Sequence, residues 1–432
     1  MFGRIPELAS SLGIGPEVLE FPYGRRVRRP IFLIRLSTPA ELQFVSAERA
    51  SIAYCLIGDS DLTLFSLSSR ERLRRAFRRA EVETELPPGE LDSGQGSAIV
   101  IRASYVFDEA LIKALIEAPG VALRAEDGEI VAAHGEGAVN IRAAFSLVVE
   151  LDEAAAANFM IQDAATLASS YQKALRKRAR PVLLPLENAD PDAIERALFG
   201  SSYKGVTDVV TKYVWPRPAL AVTRWCAKRR ISPNVVTWVS LGCVLLATYL
   251  FWHGWFLTGL AFAWGMCFLD TVDGKLARCT LSSTRLGDVF DHGIDLLHPP
   301  FWYYAWFVGL GPYLASSLAW ALWVVILGYI AGRLQEGLFI WRYGIEIHTW
   351  RPVDSWFRLV TARRNPNLLI LMVFALLQAP DKGLVAVAIW TIISFIFHCV
   401  RIAQAFMAKL HGRAPASWLQ AQNQPAAGPA AT

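Results

Sequence analysis

The chain has 432 residues, 53% hydrophobic and 19% charged, with a mean hydropathy of +0.32. That composition excludes a disordered chain, and six cysteines with no C-x-x-C pair exclude a disulfide-stapled scaffold and argue against a zinc site. The net charge of +5 could suit nucleic acid, but the basic residues alternate with apolar runs, the pattern of a membrane protein with basic cytoplasmic loops.

The opening residues MFGRIPELASSLG contain no apolar core, so no secretory signal is expected there. From about Pro30 to Phe199 the chain reads as a soluble α/β domain, with β-rich runs at Ile31–Leu36, Ser51–Ile57, Leu62–Leu67 and Ala98–Phe107. A helix is expected over Glu109–Ala118. A hairpin follows in VALRAEDGEIVAAH, with Asp127-Gly128 as its turn. Ala165–Arg178 and Asp192–Leu198 read as further helices, and Tyr203–Arg230 as an amphipathic juxtamembrane segment broken near Pro216 and Pro218.

The second half is different. Apolar runs at Val235–Trp252, Trp255–Leu269, Ile294–Leu310, Leu314–Ala331, Leu368–Leu377 and Leu384–Phe406 imply about six membrane helices, each needing roughly 20 residues. Two of the runs are short, so their helices must extend through polar flanks that face protein or water. Lys and Arg cluster before the first run, between the second and third, between the fourth and fifth, and after the sixth. The positive-inside rule then puts both termini and all the basic loops in the cytoplasm, at the inner membrane. Cys226, Cys243, Cys267 and Cys279 lie in or beside these runs as reduced packing residues. Beyond about His411 the composition suggests a disordered tail.

The informative stretch is DTVDGKLARCTLSSTRLGDVFDHGID, Asp270 to Asp295. Asp270, Asp273 and Ala277 share one helical face. Gly287, Asp291 and Asp295 share a face of the next helix. Two helices thus aim four carboxylates at one place near the cytoplasmic end of the bundle. Left unpaired, such a cluster would be costly, and divalent cations such as Mg²⁺ or Mn²⁺ resolve it while keeping positions open for phosphate oxygens. Arg278 offers a fork suited to phosphate. Small residues at Gly274, Ala277 and Gly287 let a ligand or backbone come close.

This stretch resembles the signature of the CDP-alcohol phosphatidyltransferase family, D-x2-D-G-x2-A-R-x8-G-x3-D-x3-D, at every fixed position. Chance matching is on the order of 10⁻⁹ to 10⁻¹⁰ per start position at average residue usage. ISPNVVT, Ile231–Thr237, resembles the entry to that family's first span. The resemblance covers about half the chain. It implies that Asp270, Asp273, Asp291 and Asp295 bind metal, with two ions expected, and that Asp295 is general base on an acceptor hydroxyl. It further implies that Gly274, Ala277 and Gly287 make room for cytidine, that Arg278 holds the diphosphate, and that Asn234 and Thr237 line the nucleotide pocket. The reaction would take a CDP-alcohol and an acceptor alcohol to a phosphodiester and CMP, in phospholipid synthesis. A CDP-inositol-type transferase making a soluble product is the alternative within the class; a cation transporter or a silent nucleotide-binding scaffold are the rivals outside it.

The loop arginines Arg333, Arg342, Arg363, Arg364 and Arg401 could form an anionic acceptor pocket, or simply obey the positive-inside rule and meet lipid headgroups. Asp288 could support the cluster or face water, and His292 and His298 read as packing residues. The order of elements before residue 200 looks similar to the nucleotidyltransferase-like domain fused to some family members. Yet Ile31–Ser46 contains no Gly, and Gly135-Glu136-Gly137 is too short and late to cradle a triphosphate. The expected organisation is therefore an inactive cytosolic α/β domain at 1–200, a juxtamembrane segment at 201–232, a membrane-embedded catalytic domain at 233–410 and a tail at 411–432. Dimers are common in the resembling family, but no face in the sequence identifies one.

Overall fold

The structure, a computed structural model, describes residues 52–93, 96–168 and 171–421. The expected strand Ile31–Leu36 and the whole of Ile31–Ser46 lie outside the described residues.

A mixed six-stranded sheet forms the first layer: β1 (Ile52–Ile57), β2 (Thr84–Glu85), β3 (Ser97–Arg102), β4 (Val121–Arg124), β5 (Ile130–Glu136) and β6 (Met160–Asp163), in the order β2-β1-β3-β5-β4-β6. β1 runs parallel to β2 and β3, pairing Ala53 with Thr84 and with Ala98. β3, β5 and β4 are antiparallel, and β6 returns parallel to β4. Helices α1 (Ser69–Arg79), α2 (Glu109–Glu117) and α3 (Ala138–Phe145) cover the faces. The first two begin at a side-chain cap: Ser68 accepts from the Glu71 N–H and Asp108 from the Ala110 N–H. The β4–β5 hairpin turns at Asp127-Gly128 as expected, with Gly128 at φ +92°.

Three expectations are corrected. Leu62–Leu67 is not one strand but a tight hairpin, Thr63–Leu64 against Leu67–Ser68, turned by Phe65 and Ser66 at positive φ. Ala98–Phe107 divides after Arg102, and Tyr105–Phe107 leaves the sheet to pair with Leu183–Pro185. Ala165–Arg178 is not a helix: one turn at Ala164–Leu167 gives way to a short hairpin pairing Tyr171–Gln172 with Lys177–Arg178. Its Ala, Lys and Arg favour helix, but the run has little apolar surface to bury, so tertiary contact outweighs a weak propensity.

Helix α4 (Pro191–Ser201) leads to α5 (Pro216–Lys228), then to the long helices α6 (Pro233–Trp252), α7 (Phe256–Cys279), α8 (Arg285–Gly309) and α9 (Pro312–Tyr343). A short α10 (Pro352–Phe357) precedes α11 (Arg364–Leu376) and α12 (Pro380–Leu410). Among the described residues, α6, α7, α9 and α12 are long and apolar enough to cross a membrane. α8 starts inside the polar motif and runs 25 residues, while α11, which carries the shortest apolar run, has only 13 residues. Aromatic packing fills the bundle. Trp302 and Trp306 are buried, and their indole N–H groups donate to the carbonyls of Val244 and Pro380. Within the segment after His411, Ser417 and Leu419 are buried, Trp418–Ala421 forms a helical turn, and the Trp418 indole donates to Ser355 Oγ at 3.0 Å. Residues 422–432 lie outside the described residues.

Within the described residues the sheet and the helices pack on one another. Leu64, Phe65, Ile194 and Leu198 share a core with Ala219, Val236, Val272 and Leu276. Two arginines of α1 cap the C-terminus of α7: Arg72 donates to the Cys279 carbonyl at 2.7 Å and Arg75 to the Thr280 carbonyl at 2.9 Å. These are the orphan carbonyls of the helix that carries Asp270 and Asp273. Arg72 is buried. Arg72→Leu should therefore cost about 1.5–3 kcal/mol and lower the unfolding midpoint in mild detergent; an unchanged midpoint would contradict the cap.

Candidate active site

The site forms where α7, α8 and α11 meet. One carboxylate oxygen from each of Asp270, Asp291 and Asp295 lies within 4.8 Å of the other two. The spacing explains this: Asp291 and Asp295 are one turn apart on α8, and Asp270 faces them from α7. Thr284 caps α8 by accepting from the Gly287 N–H at 3.1 Å, which fixes where that face begins. The Arg364 guanidinium, at the start of α11, donates to Asp270 Oδ2 at 2.7 Å and to Asp295 Oδ1. Asp291 pairs with no basic side chain among the described residues. The Asp295 side chain is 38% exposed against 17% for Asp270.

Asp273 stands apart from the three-way group. Its Oδ2 accepts from Thr237 Oγ1 at 2.8 Å, while its Oδ1 is buried without a hydrogen-bond partner. A carboxylate oxygen in that state is poorly satisfied by protein alone. That orphaned atom, together with three all-oxygen donors closing on one point, fits a hard divalent cation.

The small residues serve partly for internal packing. A Cβ at Gly274 would stand 3.1 Å from the Arg278 guanidinium. One at Gly287 would stand 2.9 Å from Asn234 Oδ1 and 3.0 Å from Thr284 Oγ1. Asn234 and Thr237, at the start of α6, thus reach the α7 and α8 motif, and Ala277 is buried beside them. Gly287→Ala should push Asn234 aside and loosen the α8 cap. The expected result is a roughly tenfold weaker hold on a cytidine nucleotide, equivalent to about 1.4 kcal/mol; equilibrium binding of CDP checks it, and unchanged affinity would rule out crowding at this position.

Beside the cluster lies a cavity of about 400 Å³. It is lined by Asp270, His292, Asp295 and Arg278 together with Arg333, Arg363 and Arg364, and by residues the sequence did not propose for the site: Arg176, Lys204, Asp208, Lys275, Arg358 and Asn365. Lys275 is buried, with Nζ donating to the Ser202 carbonyl and lying 3.3 Å from the Tyr203 ring centroid. Burial pushes the Asp208 carboxyl up, but Arg358 and hydrogen bonds from Thr211 and Asn365 bring it below the usual carboxylate range. Burial lowers Lys204, and neighbouring Arg176 and Arg278 lower it further.

The structure does not bring Arg342 or Arg401 to this cavity. Arg342 is exposed over the Tyr343 ring. Arg401 is buried in a two-pronged pair with Asp354, at 2.5 and 2.9 Å, because a guanidinium there must be neutralised. Arg363 pairs with Glu336, whose carboxylate also accepts from His348 Nε2 at 3.1 Å. His298 packs on Trp302 and bonds the Ile294 carbonyl, a packing role as expected. The Asp288 side chain lies outside the described residues. Gly135 does not cradle a ligand, since a Cβ there would strike the Asn140 backbone.

Residues 230–400 match the CDP-alcohol phosphatidyltransferase family model, and the acidic motif Asp270 to Asp295 lies within them. Among curated proteins the chain is similar to ethanolaminephosphotransferase 1 of Pongo abelii, 38% identical over 91 residues that make 18% of this chain and 22% of that protein. It is also similar to cholinephosphotransferase 1 of Xenopus laevis, 26% identical over 185 residues (36% and 42%). Phosphatidylinositol phosphate synthase of Cutibacterium acnes is 27% identical over 113 residues (26% and 53%). The matches thus span from about a fifth to about half of these relatives. Among solved structures, a Mycobacterium tuberculosis phosphatidylinositol phosphate synthase with CDP-DAG bound is 18% identical at a TM-score of 0.36, covering 43% of this chain and 94% of that one. That overlap is too loose to position any residue here.

Proposed function

We propose that this protein is a membrane-embedded transferase of phospholipid synthesis, moving a substituted phosphate from a CDP-alcohol to an acceptor alcohol and releasing CMP. The observation that carries this is the closure of Asp270, Asp291 and Asp295 on one point beside a basic cavity, within a segment that matches the family. Asp270, Asp291 and Asp295 would hold one divalent cation, and Asp273, with its orphaned oxygen, would help hold a second. Mg²⁺ or Mn²⁺ there supplies charge neutralisation for the diphosphate and the departing CMP.

The chain's own groups account for the rest. Arg278 and the small residues of α7 and α8 hold the diphosphate and cytidine against Asn234 and Thr237. Asp295, which lines the cavity, accepts the acceptor's hydroxyl proton as the acceptor oxygen bonds to the phosphorus of the transferred group. The phosphorus–oxygen bond to CMP breaks, and CMP leaves with the electron pair. An alcohol of pKa near 15–16 needs such a base.

Basic loops support a cytoplasmic active site at the inner membrane, with α5 lying along the interface. The family context supports a homodimer. The sheet domain is nucleotidyltransferase-like but silent, acting in assembly rather than CTP chemistry; CTP-dependent nucleotidyl transfer by the full chain would overturn that. The test of the main reaction is CMP release by purified full-length protein over a matrix of CDP-linked donors and acceptors. Product in the organic phase identifies a lipid. Cation flux without CMP release would mark a transporter instead.

A further inference from the structure

We propose that Leu281, Arg72 and Arg75 are positioning residues for the carboxylate site: the sheet layer grips the loop between α7 and α8 and so sets where Asp270 stands relative to Asp291 and Asp295, a role that rests on the transferase reading for what the site does.

Residues 280–284 join the two helices that carry the acidic motif. Helix α7 ends in a Schellman closure. The Ser282 N–H donates to the Ala277 carbonyl at 3.0 Å, and the Leu281 N–H to the Arg278 carbonyl at 3.4 Å. That closure requires a left-handed residue, a place glycine usually takes; here it is Leu281, at φ +51°. A leucine in this conformation carries a steric cost that glycine would avoid. What the leucine adds is its side chain. Leu281 is 8% exposed and belongs to the hydrophobic cluster of the sheet layer, together with Leu73, Ala76 and Phe77 of α1 and Leu111 and Leu115 of α2. The motif's own loop is thus hooked into the core beneath the sheet.

The grip has a polar half as well. Arg72 and Arg75 hold the Cys279 and Thr280 carbonyls, and they are fixed in turn from the sheet side. Ser68 accepts from the Glu71 N–H at 3.3 Å, and Arg75 Nε donates to Glu71 at 2.7 Å. Within the loop, the Thr280 and Ser282 hydroxyls bond each other at 2.7 Å, and Thr284 caps α8. Among the described residues, α7 and α8 lie chiefly against α6 and little against each other. Together with α6, the anchored loop is therefore what fixes the separation of their carboxylates. A constellation of several side chains must be held to about 0.5 Å to bind as one. Slack in this loop would open the three-way group and release the last turn of α7, which carries Arg278.

The experiment titrates CDP binding with Mg²⁺ or Mn²⁺ in full-length wild type, Leu281→Gly, Leu281→Met and Arg75→Gln, at a temperature where each is folded. Glycine keeps the left-handed closure, without its strain, and loses only the hook. Divalent-cation affinity should fall roughly tenfold in Leu281→Gly, as for residues that support metal ligands from behind. Leu281→Met refills nearly the same space and should recover most of the loss. Arg75→Gln, at a side chain 31% exposed, is the milder companion and should shift the titration in the same direction. A hook that only stabilises the fold would lower the melting temperature and leave the folded variants on the wild-type titration, and that result would overturn the positioning role. A second readout needs neither metal nor nucleotide: amide hydrogen exchange across residues 276–291 should quicken in Leu281→Gly and Arg75→Gln, while exchange in α12 stays at the wild-type rate. If no donor yields CMP, the transferase reading fails, yet this local quickening still supports the grip on the loop; unchanged exchange there overturns it.

Discussion

Asp295→Asn is expected to abolish turnover while leaving CDP-donor binding largely intact. The substitution keeps the shape of the side chain and an oxygen that can still accept from Arg364 and meet a cation. It removes the ability to take a proton. The Asp295 side chain is 38% exposed, against 17% for Asp270, and it lines the cavity where an acceptor would enter. Loss of a general base lowers kcat by on the order of 10²–10⁴-fold. Single-turnover CMP release and equilibrium CDP binding, made on the same preparation, check both halves. A normal rate would remove Asp295 as the base, and lost donor binding would recast it as a ligand only.

Asp270→Ala has the second large effect, and a different signature. Asp270 is largely enclosed and shares Arg364 with Asp295. Its removal takes an oxygen from the cluster and leaves part of a buried guanidinium without its counter-charge, a change that can cost 3–5 kcal/mol by itself, roughly, in buried pairs. Divalent-cation affinity and CDP affinity should fall together, by more than the 10–100-fold typical of supporting residues around a metal. Because the Ala variant could be destabilised, Asp270→Asn is the companion: it retains an acceptor for Arg364 but weakens the charge on the cation. Both variants should shift the Mg²⁺ or Mn²⁺ titration of CDP binding. Unchanged metal dependence in the folded Asn variant would contradict a ligand role.

The cluster was legible because helical periodicity is rigid. Asp270 with Asp273, and Gly287, Asp291 and Asp295, share faces by spacing alone, and apolar runs on both sides fix the bundle around them. Spacing could not reveal that Asp273 turns toward Thr237 and away from the three-way group, since that depends on how α6 lies against α7. The loop arginines were legible only as charge. Arg333, Arg363 and Arg364 reach the cavity, but Arg401 is consumed by Asp354 and Arg342 stays outside, and no local pattern separates these cases. Other residues lining the cavity were hidden for a further reason. Arg176 falls in a run whose Ala, Lys and Arg composition favours helix, and the hairpin forms there through contact with Gly205, a partner distant enough in sequence to leave no periodic trace. Lys204 and Arg358 were hidden likewise among interfacial and loop cations. The two arginines of α1 that cap α7 could not be matched to a helix end two hundred residues on. They tie the sheet to the helix that carries Asp270 and Asp273.

The most direct measurement is CMP release from a CDP-linked donor by full-length protein, titrated with Mg²⁺ or Mn²⁺ after chelation, in wild type beside Asp291→Asn. A shared cation at the carboxylate cluster requires that release be absent without metal, return with it saturably, and demand far more metal in the variant. Release that persists under chelation, or a variant with the wild-type metal titration, would contradict it.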